Sequence, residues 1–170
     1  MRIALGSDER THLTDVLIEE LGKRGHAVQL FGPLAEGDDA VDWPLVSAKV
    51  AEAVAAGQAD EGIVCCWTGT GASIVANKVA GIRAALCHDA ETARGARIWN
   101  HANVLALSLR ATSEAVAREI LDAWFGTPYS EDSWNREQIA RIRALEARHA
   151  DKATPHEKKP ADLDVGSSPW

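Results

Sequence analysis

Short apolar runs alternate with amphipathic stretches along most of the chain. "RIALGS" near the start, "AVQLFG", "GIVCCW", "RAALCH" and "NVLALS" are near-continuous apolar runs of strand length, expected over 2–7, 27–32, 62–67, 83–88 and 103–108. Between them lie stretches of helical period. Leu13, Val16, Leu17 and Leu21 make one face of a helix over 13–24, with Gly25 as its stop. Further helices are expected over 44–56, 73–80 and 90–100. "TSEAVAREILDAWF" forms another, with Thr112 or Ser113 as N-cap, and a charged one follows over 134–149. Strands without polar alternation, interleaved with helices, predict a parallel sheet covered on both faces. The fold class is therefore a three-layer α/β/α sandwich of Rossmann-like type with a five-stranded parallel sheet. It is one domain over 1–150. From Asp151 the pattern stops: "DKATPHEKKPADLDVGSSPW" carries three prolines and mixed charge, and 151–170 reads as a disordered tail.

That architecture says where to look. In open parallel sheets ligands sit beyond the carboxyl ends of the strands, where the strand order reverses. Asp8 and Glu9 follow the first strand, Cys66 to Gly71 the third, His88 and Asp89 the fourth and Arg110 the fifth. With the order 2-1-3-4-5, Asp8 and Cys66 flank the switch point.

The segment "CCWTGTGAS" carries the densest chemistry. Gly69 and Gly71 at the start of a helix bring free amides towards an anion, and a thiol there is a candidate base or nucleophile. The segment matches neither the nucleoside-triphosphate loop nor G-x-G-x-x-G, so it supports nucleotide binding only weakly. Either glycine could serve a tight turn alone. Cys65 and Cys66 point to opposite faces of the strand, and periodicity leaves open which one faces the site.

Composition narrows the setting. Of 170 residues 46% are hydrophobic and 25% charged, as in soluble globular proteins, and the net charge of −7 disfavours nucleic acid while leaving room for one local phosphate. No run approaches membrane-spanning length, and "MRIALGSDER" turns charged too early for an export signal, which places the chain in the cytoplasm. Three cysteines, two adjacent, indicate free thiols.

The tract "GIVCCWTGTGASIVANKVAGIRAALCHDAETARGARIWNHANVLALSLR", with "RIALGSD" and "VDWP", resembles the type B ribose-5-phosphate isomerases and the related galactose-6-phosphate isomerase subunits over about residues 1–125. The resemblance implies a homodimer, or a tetramer built from it, with active sites at the dimer interface. It implies interconversion of aldose and ketose sugar phosphates with no metal or other cofactor. Residue by residue, Cys66 is similar to the family's base and Thr68 to a threonine implicated in ring opening. Asp8 is similar to an aspartate that contacts the sugar. Gly69, Thr70, Gly71 and Ser73 match the anion hole, Asn100 an asparagine near the reacting end, and Arg110 an arginine on the phosphate.

The departures are equally specific. The family's D-H-A-G is Asp8-Glu9-Arg10-Thr11 here, and H-N-D-x-N is Trp99-Asn100-His101-Ala102-Asn103, so the ring-opening histidine is Trp99. The glycine after the cysteine is Trp67. The arginine-rich G-G-R-H-Q-x-R segment appears as "SEDSWNREQIARI", with Arg136 and Arg141 out of alignment. One reading is a rebuilt site in which Trp67 and Trp99 fill space and Arg10, His12 or His101 replace lost polar groups, suited to ribose 5-phosphate or to a smaller tetrose phosphate that needs no ring opening. The other is a catalytically retired sugar-phosphate-binding or structural dimer. Retention of Cys66, Thr68, Asp8, Asn100 and Arg110 favours the first. Trp43 and Trp124 are expected to pack in the core or an interface.

Overall fold

The apolar runs form five strands: β1 (Arg2–Ser7), β2 (Ala27–Phe31), β3 (Glu61–Cys66), β4 (Ala84–Leu86) and β5 (Val104–Ser108). The helices are α1 (His12–Lys23), α2 (Trp43–Ala55), α3 (Thr70–Ala76), α4 (Ala90–Asn100), α5 (Glu114–Gly126) and α6 (Ser133–Ala150). This computed structural model describes residues 1–150, and the expected tail from Asp151 lies outside the described residues. Caps sit where the sequence offers them: Thr11 and Thr14 form a reciprocal box on α1, Asp89 accepts from the Thr92 amide on α4, and Ser113, not Thr112, accepts from the Val116 amide on α5.

All strand pairs are parallel, in the order β2-β1-β3-β5-β4. The expected order holds for the first three strands and is corrected for the last two. β5 is buried at every position and takes an inner place, whereas β4 is three half-buried residues at the edge. The expected strand over 83–88 shortens because asparagine side chains take its first amides. The Arg83 amide donates to Asn103 Oδ1 at 2.8 Å and the Ala84 amide to Asn77 Oδ1 at 2.9 Å.

The two sheet faces differ in kind. Ile3, Leu5, Ile63, Cys65, Leu105 and Leu107 face α1, α4 and α5. Ala4, Val64, Cys66, Val104 and Ala106 face α2 and α3. The second face is built from small residues because α2 lies close upon it. A Cβ added at Gly6 would meet Val50 at 2.6 Å, and one at Gly62 would meet it at 3.0 Å.

At the amino-terminal end of the sheet the Glu61 carboxylate is buried against Arg97, at 2.7 Å, and the indole N–H of Trp124 donates to it at 2.6 Å. The Arg97 guanidinium also donates to the Ala102 carbonyl and to Tyr129 Oη, and it lies over both aromatic rings. One cluster thus joins β3, α4, α5 and the segment before α6. Removing one partner of a buried pair strands the other charge without water. Arg97→Met is therefore expected to lower unfolding stability by about 3–5 kcal/mol, read as a shifted midpoint in urea.

A second ionic cluster ties α1 to α5. Glu20 meets Arg24 at 2.5 Å, Lys23 at 3.1 Å and Arg118 at 3.2 Å. These cations, Arg24 first, hold its carboxyl down at about 2, from an ordinary value of 4.5. Between those values the unfolded chain binds more protons than the folded one, so stability falls as pH falls. Chemical denaturation across pH 4.5 to about 2 is expected to show that loss, with a shallower slope in Glu20→Gln.

Candidate active site

Register brings the chemistry together. β1 pairs with β3 so that Ser7 lies opposite Cys65, which sets Asp8 and Cys66 side by side as the two strands end. Past β3 the ladder continues into the loop after β5. The Leu109 amide donates to the Cys66 carbonyl at 3.0 Å and the Arg110 amide to the Trp67 carbonyl at 3.1 Å. The Ser108 hydroxyl donates to that same Trp67 carbonyl at 2.9 Å. Two adjoining cavities open on this edge. The outer, of about 700 Å³, is lined by Asp8, Glu9, Trp67, Thr68 and Arg110. The inner, of about 280 Å³, is lined by Asp8, Trp43, Cys66, Trp67, Thr68, Thr70 and Gly71.

Side-chain alternation separates the two adjacent thiols. Cys65 points into the core towards α1 and α5, and burial pushes its pKa far up. Cys66 faces α2 and α3 and reaches the inner cavity. Cys87 is buried as well, and its thiol is pushed up to about 12 by desolvation. Cys65 and Cys87 are thus small core residues, and Cys66 is the thiol within reach of a ligand.

The start of α3 depends on its glycines for different reasons. Gly69, the N-cap, has φ +74°, and a Cβ there would come within 2.9 Å of the Leu107 carbonyl group. Gly71 is held clear by an aromatic ring, since a Cβ would meet Trp43 at 2.9 Å. The Gly69 amide donates to Cys66 O and the Ser73 amide to Gly69 O. The free amides of the first turn are therefore those of Thr70, Gly71 and Ala72. The Ser73 hydroxyl turns towards the Ala84 carbonyl, and Thr68 and Thr70 share a hydroxyl contact of 2.7 Å.

Asp8 is half-buried, with Oδ1 unpartnered, and desolvation raises its pKa, the neighbouring Glu9 adding to the effect. The turn that presents it is closed by Ser7, whose hydroxyl donates to the Glu9 carbonyl at 2.7 Å. Arg110 is exposed, and its guanidinium carbon lies 5.9 Å from the centre of the Trp67 ring.

The remaining expected residues lie elsewhere on the chain. Arg10 is exposed and pairs with Asp15 at 2.9 Å, and His12 with Glu114 at 3.3 Å. Trp99 folds back over Gly95 on α4 and is 57% exposed. Asn100 lines a separate cleft of about 450 Å³ with Arg83, Ile142 and Glu146, between the β4 edge and α6. His101, in the left-handed conformation at φ +47°, caps α4, stacks on Tyr129 and contacts the Ser130 carbonyl at 2.9 Å. Of the core or interface positions expected for Trp43 and Trp124, Trp124 takes the core and Trp43 lies outside it. It is 42% exposed, lies across Gly71 and lines the inner cavity. The signal for it is topological: a helix that follows a strand of a parallel sheet begins at the sheet's carboxyl edge. Among the described residues no group of three or more His, Cys, Asp or Glu could hold a metal ion, and no helix is long and apolar enough to cross a membrane.

Comparison with known proteins agrees with this fold. The family described as Ribose/Galactose Isomerase matches residues 3–142. Ribose-5-phosphate isomerase B of Escherichia coli is 37% identical over 148 residues, covering 86% of this chain and 97% of its own. D-erythrulose-4-phosphate isomerase of Pectobacterium atrosepticum is 37% identical over 130 residues, covering 76% and 85%. The solved ribose-5-phosphate isomerase B of Clostridium thermocellum superposes with a TM-score of 0.80 at 39% identity, covering 88% of this chain and 99% of that one. The match of fold, length and sequence places the chain in the ribose/galactose isomerase family.

Proposed function

We propose that the protein interconverts the aldose and ketose forms of a phosphorylated sugar through an enediolate. The observation that carries the reading is the inner cavity, where Cys66, Asp8 and Thr68 face the open amide end of α3. In the forward direction the Cys66 thiolate takes the proton from the carbon next to the aldehyde. Electrons move into the C=C bond of the enediolate, whose oxygen is held by the Thr70, Gly71 and Ala72 amides. The thiol then returns the proton to the former aldehyde carbon. Asp8, whose burial raises its pKa, transfers the hydroxyl proton between the two oxygens, with Thr68 beside it. Arg110, at the mouth of the outer cavity, holds the phosphate.

The reading includes a cytoplasmic homodimer. Trp99, Asn100 and His101 lie away from the cavity of their own chain, and the 57% exposure of Trp99 suits a surface covered by a second copy. Both five-carbon and four-carbon substrates fit the reading, because relatives named for each match the chain. Replacement of the family's ring-opening histidine by Trp99 favours the acyclic four-carbon class.

The experiment is NMR of tetrose, pentose and hexose phosphates incubated with the protein in deuterated water. Solvent deuterium is expected at the carbon next to the carbonyl of the preferred sugar, slowed at least about a hundredfold in Cys66→Ala. Full exchange by that variant removes Cys66 from its role. Binding without exchange by the wild type replaces the enzyme with a sugar-phosphate-binding protein.

A further inference from the structure

This inference rests on the isomerase reading, which gives Arg110 to the phosphate, and concerns what holds that side chain ready. Cations on and just before α1 and on α5 are tied to carboxylates: Arg10 to Asp15, His12 to Glu114, and Arg118 to both Glu114 and Glu20. Arg110 forms no ion pair among the described residues. Its close neighbour is the indole of Trp67, 5.9 Å from ring centre to guanidinium carbon, and its own amide is fastened to the Trp67 carbonyl at 3.1 Å. Trp67 is 60% exposed and fills no core, yet it lines both cavities.

The two ways of restraining an arginine have opposite consequences for an anion. A carboxylate would fix the guanidinium but cancel its charge and occupy its N–H donors. An aromatic ring attracts the cation through its quadrupole and takes none of those donors. The fork stays available for two parallel bonds to phosphate oxygens. It also arrives with less rotamer freedom to lose than an unrestrained arginine.

We infer that Trp67 is a positioning residue for the phosphate site, holding Arg110 over the outer cavity with its charge and donors free. Through Arg110 it acts on binding of the phosphate; proton transfer belongs to Cys66 and Asp8 in the inner cavity, which Trp67 walls without supplying an acid or a base.

The test titrates inorganic phosphate calorimetrically into wild type, Trp67→Ala and Trp67→Phe, and measures KM and kcat on the best sugar phosphate in parallel. In Trp67→Ala, phosphate binding is expected to weaken about fivefold, equivalent to about 1 kcal/mol. KM should rise by a similar factor and kcat should stay within about twofold. Trp67→Phe keeps an aromatic face and restores most of the loss. Thermal melts of the variants should match wild type, because the side chain is exposed. Unchanged phosphate affinity in Trp67→Ala overturns the inference, as does a loss confined to kcat, a loss that Phe does not rescue, or a wild type that binds no phosphate. Wild type and Trp67→Phe that bind phosphate more tightly than Trp67→Ala, with no deuterium exchange on any sugar, would sustain the inference and sink the isomerase reading.

Discussion

The pairing of β1 with β3 is the contact on which the site depends. Parallel strands place all their carboxyl ends on one edge, and this register leaves Asp8 and Cys66 as neighbours there. The chain goes from β1 to β2 on one side and returns to β3 on the other, so the two loops part and a crevice opens between them. The helices follow the same logic. Crossovers of one hand put a helix on the face set by the direction of the step. α1 and α4, which lead steps in the same direction, lie on one face, whereas α2 and α3 lie on the other.

The two ends of that sheet divide stability from chemistry. At the amino-terminal end, Glu61 is buried with Arg97 and the Trp124 indole, opposite charges in contact and closed to solvent. At the carboxyl end, Asp8 has a buried oxygen without a partner, three amides open α3 without acceptors, and Arg110 forms no ion pair among the described residues. The amides and Arg110 call for a ligand with acceptors and negative charge, the Asp8 oxygen for one with a hydroxyl donor, and a phosphorylated sugar has all three.

Much of this was legible before the structure. Continuous apolar runs announced the strands, and the strand ends named the cleft, because both follow from local pattern. The order of the last two strands was not legible. It turns on which face α4 covers, and "AETARGARIWN" would pack its alanines against either. The assignment of Cys66 over Cys65 needed the pleat to be fixed by its neighbours. Size alone left Trp43 between core and interface, whereas its position at the head of α2 decides its surroundings within the chain. Ser73 was counted among the anion donors, but its amide is the first one the helix itself satisfies. Arg10 and His12 looked available as polar replacements, yet each had a carboxylate within reach on its own surface.

In the isomerase reading, Trp67 is where the cleft departs from the family pattern while Cys66 and the amides of α3 remain. Trp43 lies across Gly71 and Trp67 stands beside Arg110, so two indoles wall the space around Cys66 without supplying an acid or a base. An indole brings a broad apolar face with few rotatable bonds, which excludes water and shapes a cavity at low entropic cost. Substituting such walls alters which sugar fits and how its phosphate is met, and leaves the thiol and the amides in place. In the isomerase reading, divergence of substrate can therefore proceed through aromatic residues at helix and strand ends, because β1 and β3 hold Asp8 and Cys66 from the sheet below.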